Sequence, residues 1–363
     1  AGRNAESARG QLSRIDQECA FVRYISIDSV EPGQYLGRTI FSNNGAVLLN
    51  EGVQLTVFMI NTLRRIGATY VYVKDEQFDD VVIEEILSEE TKRAVVRQMN
   101  ELFETLRSGK EFSTRQISVT IDQLLEDVMN NKDVLIQLAD IRSQENAEYL
   151  HALHVCMMSV VIGLNMGFSQ TQLKELAIGA LLHDIGKVGP FDDHNKDEPR
   201  RHHTWRGFEA LKLKREFSLL SAHVAFQHHE HVDGTGAPRG LSGDAIHPYA
   251  KIVAVANAYD NLVSGKKGDR PMMPHEACER MMAMVERELD KDILIAFLKN
   301  VSVYPNGMSV RLTNREVGVV VGQHRGLPSR PIVRVVSKDD HDLDVKEYDL
   351  AKHPTLFVEA VLA

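Results

Sequence analysis

Eleven of the fifteen histidines in this 363-residue chain lie between His151 and His247. Around them run helix-sized apolar segments at 153–166, 173–182, 217–226, 250–263 and 277–289, separated by polar loops rich in Gly and Pro. Histidine is the commonest metal ligand. A histidine supply spread over successive helices constrains the fold to one in which helix ends converge, as they do in a bundle. Residues 134–300 therefore read as one all-α domain of ordinary size. Its focus is Leu181-Leu182-His183-Asp184-Ile185-Gly186-Lys187. An imidazole offers one neutral nitrogen to a metal, whereas a carboxylate has two oxygens and can bridge two. On a helix, Lys187 would return to the face of His183 and bring a cation for a phosphate or a leaving group.

Four further positions complete the candidate set: His151, His203, His228 and His229, with His183 and Asp184 between them. Six nitrogen- and oxygen-bearing residues exceed the need of one zinc. Without cysteine ligands they suit two divalent metals of octahedral preference, iron or manganese. Such a pair activates water and clamps a phosphoryl oxygen. His154 and His231 sit beside these positions as supporting residues. His194, His202 and His223 join only if the segment between Lys187 and His203 folds over the site. Met281, Met282 and Met284 read as core.

The rest of the chain bounds the possibilities. A net charge of −9 without a long basic run argues against a DNA or RNA surface but leaves room for a small phosphate ligand. Cys19, Cys156 and Cys278 are too far apart for a disulfide framework, which points to the cytoplasm. No stretch reads as a membrane span, and residues 1–20 read as a disordered leader. Residues 21–80 alternate short strands and turns around one helix at 55–66, a small α+β module with Asn43-Asn44-Gly45 as a hairpin signal. Residues 81–133 read as linker helices, 84–106 and one opening on a Ser113/Gln116 capping box, whose apolar stripes could form a homodimer seam. Residues 301–363 read as a small β-rich module, with strands at 309–312, 316–322, 331–336 and 355–362.

The order and content of the motifs resemble an HD-GYP domain, a branch of the HD phosphohydrolase superfamily. The resemblance rests on His151-Ala152-Leu153-His154-Val155, on the His183-Asp184 stretch, on His203-Thr204-Trp205-Arg206-Gly207, on 228–238 and on 254–260. It implies an all-α HD-type bundle flanked by the two small modules, a multidomain and mainly α chain. It implies hydrolysis of cyclic di-GMP to pGpG and GMP at a two- or three-metal centre. By resemblance, His151, His183, Asp184, His203, His228 and His229 are ligands, with Asp184 bridging, and Asn257 takes the place of the last ligand aspartate. Lys187, Gly236, Pro238 and Arg270 would contact substrate. Three positions depart from the pattern: Ala237 replaces the tyrosine of Gly-Tyr-Pro, Asn257 replaces an aspartate, and Ala147 replaces a glutamate that holds a third metal in some members. Two metals at most follow. Two other readings remain, a cyclic-dinucleotide sensor or docking module without turnover, and an HD phosphohydrolase for another nucleotide.

Overall fold

The computed structural model describes residues 23–42, 45–75, 83–138, 140, 142, 146–188, 202–265, 270–338 and 343–362. The expected leader, Asn43, Asn44 and His194 lie outside them.

The N-terminal module pairs β1 (Arg23–Ser26) with β4 (Tyr70–Val73) and β2 (Ile40–Phe41) with β3 (Val47–Leu49), both antiparallel. Helix α1 (Val57–Ile66) closes a small core of Ile25, Leu36, Ile60, Leu63 and Val71. Thr56 caps its start by accepting from Met59 N, and Gly67 ends it at φ 96°, a left-handed conformation that glycine adopts without strain. β1 also touches the C-terminal module, where Tyr24 N donates to Gly307 O at 3.0 Å.

Helix α2 (Glu89–Arg107) starts later than the expected residue 84, because the Ser88 hydroxyl accepts from Thr91 N and Glu89 and Glu90 favour the first turn. Helix α3 (Thr114–Asn130) is capped by Ser113 as expected. Neither helix is a linker. Val95, Val96, Met99, Leu102 and Phe103 of α2 and Ile117, Ile121, Leu124, Leu125 and Val128 of α3 join the same apolar core as the helices that follow. The stripes proposed for a dimer seam are thus covered within the chain.

That core is built around α4 (Ala147–Asn165), with α5 (Gln170–Leu181), α7 (Leu219–Gln227), α8 (Pro248–Ser264) and α10 (Lys291–Leu298) packed about it; α6 (His203–Lys212) adds Leu211, and α9 (Pro274–Met282) adds Ala277, Cys278 and Met281. By length and composition α4 is apolar enough to cross a membrane, contrary to the sequence reading, but 78% of that stretch is buried inside the protein. A helix apolar on all sides is what a core position requires. Met281 is fully buried, whereas Met282 is 52% exposed and is not core.

The C-terminal module is one antiparallel sheet in the order β8-β7-β6-β5-β9, from β5 (Ser309–Leu312), β6 (Val317–Gly322), β7 (Ile332–Lys338), β8 (Leu343–Asp349) and β9 (Val358–Leu362). The sequence pattern does not mark β8, because Asp344, Lys346, Glu347 and Asp349 are charged and the apolar alternation stops after Val345. It pairs with β7 along its whole length.

Ile162 is fully buried in α4, three turns beyond His151. Ile162→Ala should lower unfolding free energy by about 2–5 kcal/mol in a urea titration, while divalent-metal affinity stays unchanged.

Candidate metal centre

The six candidate ligands arrive on four separate elements. His151 stands in the second turn of α4. His183 and Asp184 do not lie on a helix, as expected, but in the turn between Leu181, the last residue of α5, and a short 3-10 turn at Ile185–Lys187. Lys187 consequently reaches Asp184 over three residues, and its ammonium contacts Asp184 Oδ2. His203 is the first residue of α6, and His228 caps the C-terminus of α7, with His229 next.

Asp184 divides them into two groups. His151, His183 and Asp184 form one, and Asp184, His203, His228 and His229 the other; within each group the donor atoms all lie within 4.8 Å of one another. Asp184 Oδ2 faces His183 Nε2 at 3.4 Å and His151 Nε2 at 3.7 Å. Asp184 Oδ1 faces His203 Nε2 at 3.4 Å and His228 Nε2 at 3.5 Å. Each carboxylate oxygen thus has its own pair of imidazoles.

The other ring nitrogens explain why Nε2 points inward with its lone pair. A carbonyl oxygen only accepts, so a ring nitrogen beside one must carry the proton. His183 Nδ1 donates to Ala180 O at 2.7 Å and His228 Nδ1 to Ala225 O at 3.0 Å. Both acceptors are carbonyls of the last helical turn, which have spare capacity there. His151, inside a helix, has no such carbonyl and donates Nδ1–H to Asp260 Oδ2 at 2.6 Å. The bare nitrogens of His151 and His183 then face each other at 3.2 Å, and the bare His228 Nε2 faces His203 Nε2 at 3.4 Å. Facing lone pairs repel unless a cation lies between them. Asp184 Oδ1 is also buried and without a hydrogen-bond partner among the described residues. This donor set fits two divalent cations.

Residues 124–293 match the HD domain family. That stretch resembles an HD domain. Residues 309–363 match the KOW domain associated with HD domains. A cyclic di-GMP phosphodiesterase of Pseudomonas aeruginosa is 30% identical over 259 residues, 69% of this chain and 61% of that protein. A cyclic di-GMP phosphodiesterase of Thermotoga maritima is 32% identical over 177 residues, 46% of this chain and 48% of that protein. A 3'3'-cGAMP-specific phosphodiesterase of Vibrio cholerae is 30% identical over 169 residues, 43% of this chain and 36% of that protein. The chain therefore spans 61% or less of the length of these relatives. Among solved structures, an HDG"Y"P protein from Bdellovibrio bacteriovorus aligns over 76% of this chain and 98% of that one at 19% identity, with a TM-score of 0.44. The kinship expected from the motifs is borne out.

Burial sets the charge state of the HD site. It pushes the His203 imidazole down to about 3 and also lowers His228 and His229, against the opposing pull of Asp184. Burial alone would raise Asp184, but His183, His228 and Lys187 hold it well below the usual carboxylate range. His203, His228 and His229 are thus neutral imidazoles beside an anion, the protonation that metal ligation needs.

Close backbone approaches fix the ligand positions. A Cβ on Gly186 would lie 1.9 Å from His203 O and 2.5 Å from Gly207 N, so only glycine lets α6 bring His203 against the 3-10 turn. A Cβ on Gly236 would lie 2.5 Å from His229 O and 2.2 Å from His231 N. Gly236 therefore packs the loop against His229. That loop is closed by the buried Glu230, which accepts from Arg239 N at 2.9 Å and Leu241 N at 2.8 Å. The Ala237–Pro238 peptide is cis.

Two clefts open on the site. One, of about 690 Å³, is lined by His151, Asp184, Lys187 and Arg142. The other, of about 650 Å³, is lined by His228, His229, Asn257 and Arg270. Asn257 is buried beside the second cleft, and its Oδ1 accepts from Asn261 Nδ2 at 2.8 Å. His154 is buried and hydrogen-bonded to Asp140, and His231 bonds Thr235 at the loop. His202 caps α6, and His223 packs on Phe208; neither belongs to the two donor groups. Asp140 and Arg142, which reach the ligand sphere from an irregular stretch, carried no motif by which the sequence could single them out.

Two outcomes follow for the isolated protein. Gly186→Ala should displace His203 and reduce Mn²⁺ stoichiometry from two to one in equilibrium dialysis; two ions retained would contradict this geometry. In the metal-free protein, His203 titrates at about 3 when folded against 6.5 when unfolded. The unfolded chain then binds more protons throughout that window, and Asp184, depressed in the fold, acts with the same sign. The thermal midpoint should fall as pH drops from 6.5 towards 3, and a flat profile would refute it.

Proposed function

We propose that the chain is a metal-dependent phosphodiesterase that hydrolyses cyclic di-GMP, or a related cyclic dinucleotide, to linear products in the cytoplasm. The observation that carries this reading is the division of Asp184, one oxygen towards His151 and His183 and the other towards His203 and His228. Its named relatives act on cyclic dinucleotides, which supports the substrate class.

His151 and His183 would hold one ion, His203, His228 and His229 the other, with Asp184 shared between them. Iron or manganese is the choice that the nitrogen–oxygen donor set favours. Such a pair, when bound, lowers the pKa of water and polarises a phosphoryl oxygen. Lys187 stands half-exposed at the mouth of the first cleft with its ammonium on Asp184 Oδ2. Once the carboxylate charge is met by cations, that ammonium is available for a non-bridging phosphate oxygen or the departing oxygen. Arg270 lines the second cleft and offers a guanidinium to the other phosphate. Gly236 and Pro238 shape the loop beside His229.

The second reading, a cyclic-dinucleotide sensor without turnover, is favoured by Asn257. A neutral amide whose oxygen is already committed to Asn261 is a poorer cation ligand than a carboxylate.

Anaerobically purified protein loaded with Fe²⁺ or Mn²⁺ should convert cyclic di-GMP to linear product, and His183→Ala and Asp184→Ala should abolish it. Tight binding of the dinucleotide without product under either metal would establish the sensor instead. Neither binding nor product would overturn both readings.

A further inference from the structure

His151 differs from the other ligands in how its tautomer is set, and the difference leads away from the site. Its Nδ1–H goes to Asp260 Oδ2, and the second oxygen of that fully buried carboxylate, Oδ1, meets the Arg142 guanidinium. Arg142 Nη2 also donates to His154 Nδ1 at 2.8 Å. A guanidinium has no acceptor, so His154 Nδ1 must be bare and its proton sits on Nε2. His154 Nε2 donates that proton to Asp140 Oδ2 at 2.9 Å. Asp140 Oδ1 accepts from Lys92 Nζ at 3.0 Å, and Lys92 also donates to Glu85 Oε1 at 3.0 Å. Glu85 Oε1 is paired with Arg38, a residue of the N-terminal module.

Three cations, Arg38, Lys92 and Arg142, thus alternate with three anions, Glu85, Asp140 and Asp260. His154 Nδ1 also lies 3.3 Å from Asp260 Oδ1, but the nearer Arg142 N–H, at 2.8 Å, makes it an acceptor. Asp140 sets the tautomer of His154; His154 then accepts from Arg142; Arg142 holds Asp260; Asp260 takes the His151 proton and leaves Nε2 bare towards Asp184. His183 and His228 owe their tautomers to carbonyls of their own helices and are independent of this series.

We propose that Asp140, His154 and Arg142 are positioning residues for His151, and that Arg38 couples the N-terminal module to the affinity of one metal position and not the other. The proposal rests on the metal-centre reading above. It gives the module, which brings no ligand of its own, a means of adjusting the His151 side of the centre.

The test is a Mn²⁺ titration of the full chain, free Mn²⁺ being followed by electron paramagnetic resonance so that two dissociation constants are obtained. In His154→Leu, which removes the acceptor for Arg142, one constant should rise about 10–100-fold, the range typical of outer-sphere partners, and the other should not move. His154→Gln, with an amide oxygen for Arg142 and an amide N–H for Asp140, should restore it. Arg38→Met should raise the same constant by a smaller factor. If His154→Leu fails to fold, Asp140→Asn, which no longer balances Lys92, should show the same selective loss. Unchanged constants, or equal weakening of both ions together with a lowered thermal midpoint, would overturn the proposal. A wild-type chain that binds no Mn²⁺ would overturn the metal centre itself, a distinct result.

Discussion

Asp184 has to serve imidazoles from both sides, and the arrangement of the helical domain follows from that demand. A carboxylate with 15% side-chain exposure, flanked by ring nitrogens at 3.4–3.7 Å, is costly to bury unless positive charge accompanies it. In the polypeptide alone, Lys187 supplies that charge on one oxygen, while the other has no hydrogen-bond partner among the described residues. The asymmetry is what a centre built for cations would show. The polypeptide tolerates it because α4, α5, α7 and α8 supply a deep apolar core that stabilises the domain independently of the site.

Two structural devices keep the ligands in place, and they differ in range. At His183 and His228 the chain uses what a helix end provides, carbonyls with no partner of their own in the helix. These ligands are oriented by residues three positions away. His151 stands in the second turn of a helix whose carbonyls are already engaged, so its orientation depends on Asp260, over a hundred residues later in the chain. One half of the centre is thereby locally determined and the other is tied to the packing of α4 against α8. Gly186 adds a steric condition, because the backbone contact with His203 leaves no room for a side chain.

Of the three substitutions that distinguish this chain from the HD-GYP pattern, two fall on one side of the site, whereas Ala147 lines the His151 cleft. Asn257, Ala237 and the loop closed by Glu230 all belong with the His228–His229 half. The candidate ligand histidines, Asp184 and Lys187 are all present. This chain combines an intact imidazole set with a lower negative charge on that half, which weakens attraction for a cation there without altering the fold that carries it.

Much was legible without coordinates. The clustering of histidines, the apolar segments and the single His-Asp pair marked the all-α domain and the candidate ligands that the fold brings together at Asp184, because those features depend on residue type and helical period. The strand-rich modules were legible too, apart from β8, whose charged residues hide a strand made by backbone pairing. Tertiary structure decided the rest. It placed His183 and Asp184 in a turn and not on a helix. It showed the stripes of α2 and α3 filled by the chain's own core. It revealed Asp140, Arg142 and His154 in line behind His151. The physical reason is the same in each case: periodicity reports that a side chain seeks burial or a partner, but the partner is chosen by packing between segments distant in sequence, and one residue's neighbours in the chain do not contain that information.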